Sequence, residues 1–105
     1  MIRSKRMLVN WANLNRAPAD EHGLYSFWRG PICIYVGKAK EQALRKRLLQ
    51  HYTACKNPEL KLWLKSSYDV LFEYETVANN DAIDAKERKA IKKLAPLTNK
   101  IYNTN

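Results

Sequence analysis

The chain is short of cysteine, of long apolar runs and of internal repetition, and each shortage removes a class of protein. Of its 105 residues only Cys33 and Cys55 are cysteines. Two thiols make neither a disulfide framework nor a zinc site, and both read as free thiols of a reducing compartment. No signature of a cysteine-dependent enzyme surrounds either one. The apolar stretches are short, residues 32–36 among the longest, against the roughly 20 residues a membrane-spanning helix needs. The basic start MIRSKRMLVNW lacks the apolar region of a secretory signal, so a cytoplasmic location is expected. Repeats, low-complexity tracts, zinc fingers and helix-turn-helix patterns are all missing.

What is present is ordinary globular composition with one strong bias. Hydrophobic residues make up 46% and charged residues 28%, enough for a single modest core. Lysine and arginine number 19 against 10 acidic residues, a formal charge of +9. Such a surplus points to an anionic partner, most often nucleic acid, although it also serves solubility.

The first 22 residues read as a basic extension. Met7, Leu8, Trp11 and Leu14 recur at helical spacing and predict a short helix there. Residues 15–22, with Pro18, read as a loop. Residues 23–28 and 32–36 read as two strands joined by a tight turn at Arg29, Gly30 and Pro31. A three-residue loop sets Trp28 opposite Ile32 and Tyr25 opposite Tyr35, on one face of the hairpin. Residues 41–52 read as a helix with Leu44, Leu48 and Leu49 on its apolar side, and Arg47 and His51 four apart on another. Asn57-Pro58 is a helix start, with Leu60, Trp63 and Leu64 as its buried stripe. Residues 68–77 alternate as a strand. Asn79, Asn80 and Asp81 cap a last helix that reaches about Leu94 and stops at Ala95-Pro96.

One acid in that last helix is out of place. Its apolar stripe is Ile83, Ala90, Ile91 and Leu94, and Glu87 falls on the same line. A carboxylate facing a core is costly unless it is paired or holds a cation. A salt bridge to Arg88 or Lys86 would satisfy it equally well.

In order along the chain stand Gly23-Leu24-Tyr25, Tyr35-Val36-Gly37-Lys38, Arg47, His51, Glu87 and Asn99. This series resembles the GIY-YIG endonuclease family, with GLY and YVG in place of the two name-giving tripeptides. Residues 35–40 and 44–48 are similar to the nuclease domain of the excision-repair nuclease UvrC, while His51 after Arg47 looks more like the homing and restriction branches. The resemblance covers Gly23 to Lys100. A lone GLY–YVG pair is weak; the pair followed by arginine, a helical glutamate and a terminal asparagine is specific. Arg45 competes with Arg47 for the arginine position, and Arg47 is preferred because it shares a face with His51.

The resemblance implies an α+β fold: a small three-stranded antiparallel sheet flanked by helices, in the order β-β-α-α-β-α, over residues 23–105 after the extension of residues 1–22. It implies a metal-dependent endonuclease that hydrolyses phosphodiester bonds. Tyr25 would be the general base, made more basic by Lys38 or His51. Tyr35 would hydrogen-bond the phosphate or Tyr25, and Arg47 would counter charge on the phosphate. Glu87 would bind one Mg²⁺ or Mn²⁺, with waters completing the shell. Asn99 would fix loop geometry or contact substrate. Gly37, Lys40, Arg45 and Lys46 complete the expected substrate-binding set. DNA is the expected partner, with RNA open, for a monomer or homodimer and no membrane. A silent nucleic-acid-binding module of the same fold is the rival. Repair, restriction and mobile-element roles stay open, as does the second basic cluster, Lys86, Arg88, Lys89, Lys92 and Lys93.

Overall fold

A computed structural model describes residues 3–99. Lys100, the end of the stretch resembling the nuclease family, lies outside the described residues.

The elements run β1 (Met7–Leu8), α1 (Trp11–Leu14), β2 (Gly23–Arg29), β3 (Ile32–Ala39), α2 (Leu44–Ala54), α3 (Pro58–Lys65), β4 (Leu71–Thr76) and α4 (Asn80–Leu94). The strands form one antiparallel sheet in the order β1-β4-β2-β3. The α+β architecture and its element order are those expected from residue 23 onward. The fourth strand was not expected. Met7 and Leu8 pair with Phe72 and Leu71 instead of turning as helix. The backbone on either side continues along the same edge, through Ser4 N–H to Tyr74 O (2.8 Å) and Val9 N–H to Val70 O (2.8 Å). An unpaired outer edge of β4 leaves backbone groups open, and that tertiary demand outweighs a few residues of helical spacing. Only Trp11–Leu14 keep helical form.

Central strand β2 is covered on both faces. Tyr25 and Phe27 join Ile34, Leu44, Leu48, Leu60 and Phe72 in one core beneath α1, α2 and α3. Trp28, Cys33 and Val36 meet Ile91 of α4 in a second core on the opposite face. Each buried leucine, isoleucine or phenylalanine contributes about 1.5–3 kcal/mol to these layers.

The hairpin turns more tightly than its sequence suggests. Arg29 pairs with Ile32, leaving a two-residue loop in which Gly30 takes a φ of 56°, the left-handed region glycine enters at no steric cost. The register shifts between Phe27 and Trp28, so Tyr25 lies opposite Gly37 and Phe27 opposite Tyr35. Relative to expectation the pairing moves by two residues, which preserves faces. Tyr25 and Tyr35 still point the same way, now as diagonal neighbours.

The helix ends are closed by different means. Asn57 accepts from the N–H groups of Glu59 (3.1 Å) and Leu60 (3.2 Å) at the head of α3, with Pro58 next to it. Asn79 does the same for Asp81 N–H (2.9 Å) at α4. Helix α2 begins at Leu44, after residues 41–43, and Ala43 offers it no side-chain cap. The loop following α1 supplies acceptors instead: Glu21 O takes Leu44 N–H (2.9 Å) and Pro18 O takes Arg45 N–H (3.1 Å). The basic N-terminal stretch thus completes both a sheet edge and a helix end.

Candidate active site

Strand β3 is the sheet edge, so side chains from both faces of the sheet can meet around it. They do so in an open cleft of about 1160 Å³, whose lining includes Tyr35, Lys38, Arg47, His51, Cys55 and Glu87. Tyr35, Arg47 and His51 arrive from the α2 side, and Glu87 from α4.

Tyr25, from the middle of β2, lies behind the cleft lining, with its ring buried and its hydroxyl 2.6 Å from Nε2 of His51, which does line it. Its ring centroid is 6.2 Å from Tyr35 and 5.4 Å from His51, and those two are 5.4 Å apart. Gly37 makes this arrangement possible. A Cβ there would sit 2.4 Å from both Cζ and the hydroxyl oxygen of Tyr25. The ring occupies the space that any other residue would fill.

Charge is arranged unevenly. Burial drives the Tyr25 hydroxyl well above its usual range, reinforced by Tyr35 and opposed by Arg47. Tyr35 is raised for the same first reason, again against Arg47. Burial, then Arg47, lowers His51 to about 4. At neutral pH the pair is therefore a protonated tyrosine hydrogen-bonded to an uncharged imidazole. Burial raises Glu87, and Lys38 opposes that shift.

Lys38 is held toward α4. Val36 and Lys38 alternate onto the α4 face, where Lys38 Nζ meets Asp84 at 2.6 Å and Glu87 at 3.7 Å. Lys40 also binds Asp84, at 2.8 Å. Glu87 itself is buried on the stripe with Ile83 and Ile91, and its ion pair comes from the sheet instead of from Arg88 or Lys86.

The fold that carries this cleft matches that of solved nuclease domains. The GIY-YIG N-terminal endonuclease domain of UvrC from Thermotoga maritima, solved with magnesium as its catalytic divalent cation, is 26% identical. It aligns with a TM-score of 0.67 over 84% of this chain and 92% of that one. A tyrosine-to-phenylalanine point mutant of the same domain, bound to the cation, aligns at 26% identity and TM-score 0.67 over 84% and 91%. An asparagine-to-alanine point mutant aligns at 25% and 0.66 over 83% and 90%. In fold and in part of its sequence this chain is similar to the GIY-YIG nuclease domains. No protein-family model matches its sequence, and no curated protein does.

Within this fold the expected site residues divide. Tyr35, Arg47, His51 and Glu87 line the cleft, Tyr25 stands behind it on His51, and Arg47 also contacts Gln50 Oε1 at 3.3 Å. Lys40 stands at the adjoining rim with Glu41 and Gln42. Arg45 turns away, its Nε donating to Ala17 O at 2.8 Å. Lys46 is exposed and lines no part of the cleft. Gly37 acts through space it leaves open. Asn99 uses its amide on the sheet edge: Nδ2 donates to Val36 O (2.7 Å) and Oδ1 accepts Val36 N–H (2.8 Å). Asn99 also lines the cleft.

Sequence reasoning missed Asp84 and Cys55. Each had a signal. Asp84 precedes Glu87 by three residues and Cys55 follows His51 by four, so each shares a helical face with a named residue. Among the described residues no group of three His, Cys, Asp or Glu could hold a metal. A single carboxylate still fits a hard divalent cation, which keeps most of its water and takes one or two carboxylates. Glu87, a cleft-lining carboxylate whose ion pair to Lys38 spans 3.7 Å, could serve as such a ligand.

Proposed function

We propose that this chain is a divalent-metal-dependent endonuclease that hydrolyses DNA phosphodiester bonds at the β3-edge cleft. The observation that carries this reading is the 2.6 Å contact between the Tyr25 hydroxyl and a neutral, buried His51, beside Arg47 and Glu87.

Tyr25 alone is a poor base, because burial holds its proton. It becomes a competent one by passing that proton on. As a water oxygen bonds to phosphorus, the water proton moves to the Tyr25 oxygen and the Tyr25 proton moves to His51 Nε2. No isolated tyrosinate forms. The phosphate that occupies the cleft also offsets Arg47, one of the two causes that depress His51, so substrate itself makes the imidazole a better acceptor. Arg47 holds the non-bridging oxygens with its planar donor fork, and Tyr35 orients the phosphate from beside Tyr25. The P–O3′ bond breaks, and the 3′ oxygen takes its proton from solvent. Glu87 would hold one Mg²⁺ or Mn²⁺, which when bound supplies charge stabilisation for the leaving oxygen. Lys38 stands at the metal side as a partner of Glu87 and Asp84 rather than as activator of Tyr25.

The net charge of +9 supports a polyanionic substrate whose binding weakens steeply with salt. Nicking of supercoiled plasmid in Mg²⁺ tests the reading. Tyr25→Phe, Arg47→Ala, His51→Ala and Glu87→Ala should each lose about 10²-fold or more in rate. Activity equal to that of the unaltered chain in all four would sink the mechanism. Matched RNA substrates decide whether DNA is the preferred backbone. Retained binding without any Mg²⁺-dependent cutting would instead favour a silent binding module.

A further inference from the structure

Helix α2 ends beside the cleft, and its last turn holds an interaction the mechanism above does not use. His51 presents Nε2 to the Tyr25 hydroxyl at 2.6 Å, and its other ring nitrogen, Nδ1, lies 3.6 Å from Cys55 Sγ. Cys55 caps α2, four residues after His51. The same sulfur lies 3.5 Å from the carbonyl oxygen of Asn57. That carbonyl can only accept, so the single S–H proton of Cys55 goes to it, along the shorter of the two contacts. The sulfur lone pairs are then left facing Nδ1. Asn57 is itself held in place, accepting from the head of α3 and donating to Thr98 O at 3.0 Å.

We propose that Cys55 is a positioning residue: its sulfur accepts the Nδ1 proton of His51 and so leaves Nε2 bare toward Tyr25. A neutral imidazole has one proton to place on two nitrogens, and the partner of one nitrogen sets the state of the other. With the proton on Nδ1, Nε2 is an acceptor and the Tyr25 proton has somewhere to go. With the proton on Nε2, the ring donates to Tyr25, and the relay is blocked. The hydrogen-bond chain runs Tyr25 O–H to Nε2, Nδ1–H to Sγ, S–H to Asn57 O, each link donating in one direction. Sulfur is a weak acceptor, yet it needs only to tip a choice that Tyr25 already biases.

This inference deepens the Tyr25–His51 reading and rests on it, but its test does not depend on activity alone. The chain has two histidines, His22 and His51, so ring-nitrogen NMR of ¹⁵N-histidine-labelled protein shows two imidazoles, assigned with His51→Gln. At neutral pH His51 should carry its proton on Nδ1 in the unaltered chain. Cys55→Ala should move the ring toward the Nε2–H form and lower kcat roughly tenfold, with little change in KM, within the range that general acid–base groups supply. Cys55→Ser, whose hydroxyl both donates and accepts, should restore the Nδ1–H form and bring kcat to within about twofold of the original. An Nε2–H ring in the unaltered chain, or a tautomer that Cys55→Ala leaves unchanged, would overturn the proposal even if nuclease activity were intact. Conversely, a chain that cuts no substrate but shows the tautomer shift would uphold the Cys55 contact while the nuclease reading failed. Should Cys55→Ala not fold, the unaltered ring and the serine variant still decide: an Nε2–H ring in either one overturns the assignment.

Discussion

Replacing Gly37 by alanine should damage both stability and catalysis, through one contact. The added Cβ would lie 2.4 Å from Tyr25 Cζ and its hydroxyl oxygen, and 2.7 Å from Cε1. Carbon atoms rest at about 3.5–4.0 Å from one another, so the ring must retreat by at least about 1 Å. It cannot swing freely, because Phe27, Tyr35 and His51 pack around it. Overpacking of this kind costs about 1–3 kcal/mol. Retreat also takes the hydroxyl off His51 Nε2, and loss of that buried hydrogen bond costs about 1–3 kcal/mol more. Alanine recovers about 0.5–1 kcal/mol of strand propensity over glycine. The net expectation is a loss of about 1–5 kcal/mol in urea unfolding, and a fall of about 10²-fold in plasmid nicking from a misplaced base. Gly30→Ala is the matched control. No atom lies within 4 Å of a Cβ there, but φ is 56°, so it should cost about 1–2 kcal/mol and leave nicking unchanged. A Gly37→Ala chain that unfolds and nicks like the original would refute the idea that position 37 is kept empty for Tyr25.

Three further perturbations follow from the same contacts. His51 titrates near 4 in the folded chain against 6.5 in the unfolded one, so the unfolded chain binds the extra proton between those values. Its contribution is therefore full above 6.5 and is lost as pH falls toward 4; the loss is on the order of 2–3 kcal/mol, and a pH series of urea melts on His51→Gln should lack that segment. Asp84→Asn should free Lys38 from its 2.6 Å partner to close on Glu87, raising the Mg²⁺ concentration for half-maximal nicking about tenfold, whereas an unchanged Mg²⁺ midpoint would contradict that competition. Ala95 ends α4 at φ 45°, a left-handed position where Ala95→Gly should gain about 1 kcal/mol in a thermal melt without touching activity.

How far the sequence was legible depends on the range of the forces involved. Local rules set the Asn57-Pro58 and Asn79 caps, the stop at Ala95-Pro96 and the placement of Glu87 on a buried stripe, because each depends on neighbours within a helical turn. The spacing of Arg47 and His51, and the common face of Tyr25 and Tyr35, came from helix and strand period alone, and the second survived a register error because a two-residue slip keeps faces. What the sequence could not determine were the partners across the sheet. Met7 and Leu8 became a strand because β4 had an open edge. Gly37 met Tyr25 because the turn holds two residues and a bulge follows it. Lys38 paired with Asp84 and Glu87 because alternation along β3 sends it to the α4 face. Asn99 was absorbed by Val36 because β3 is the outermost strand. Periodicity is a property of one element, and chain order alone carries it. Which buried groups must share protons and space is decided only when distant elements are brought to within a few ångströms.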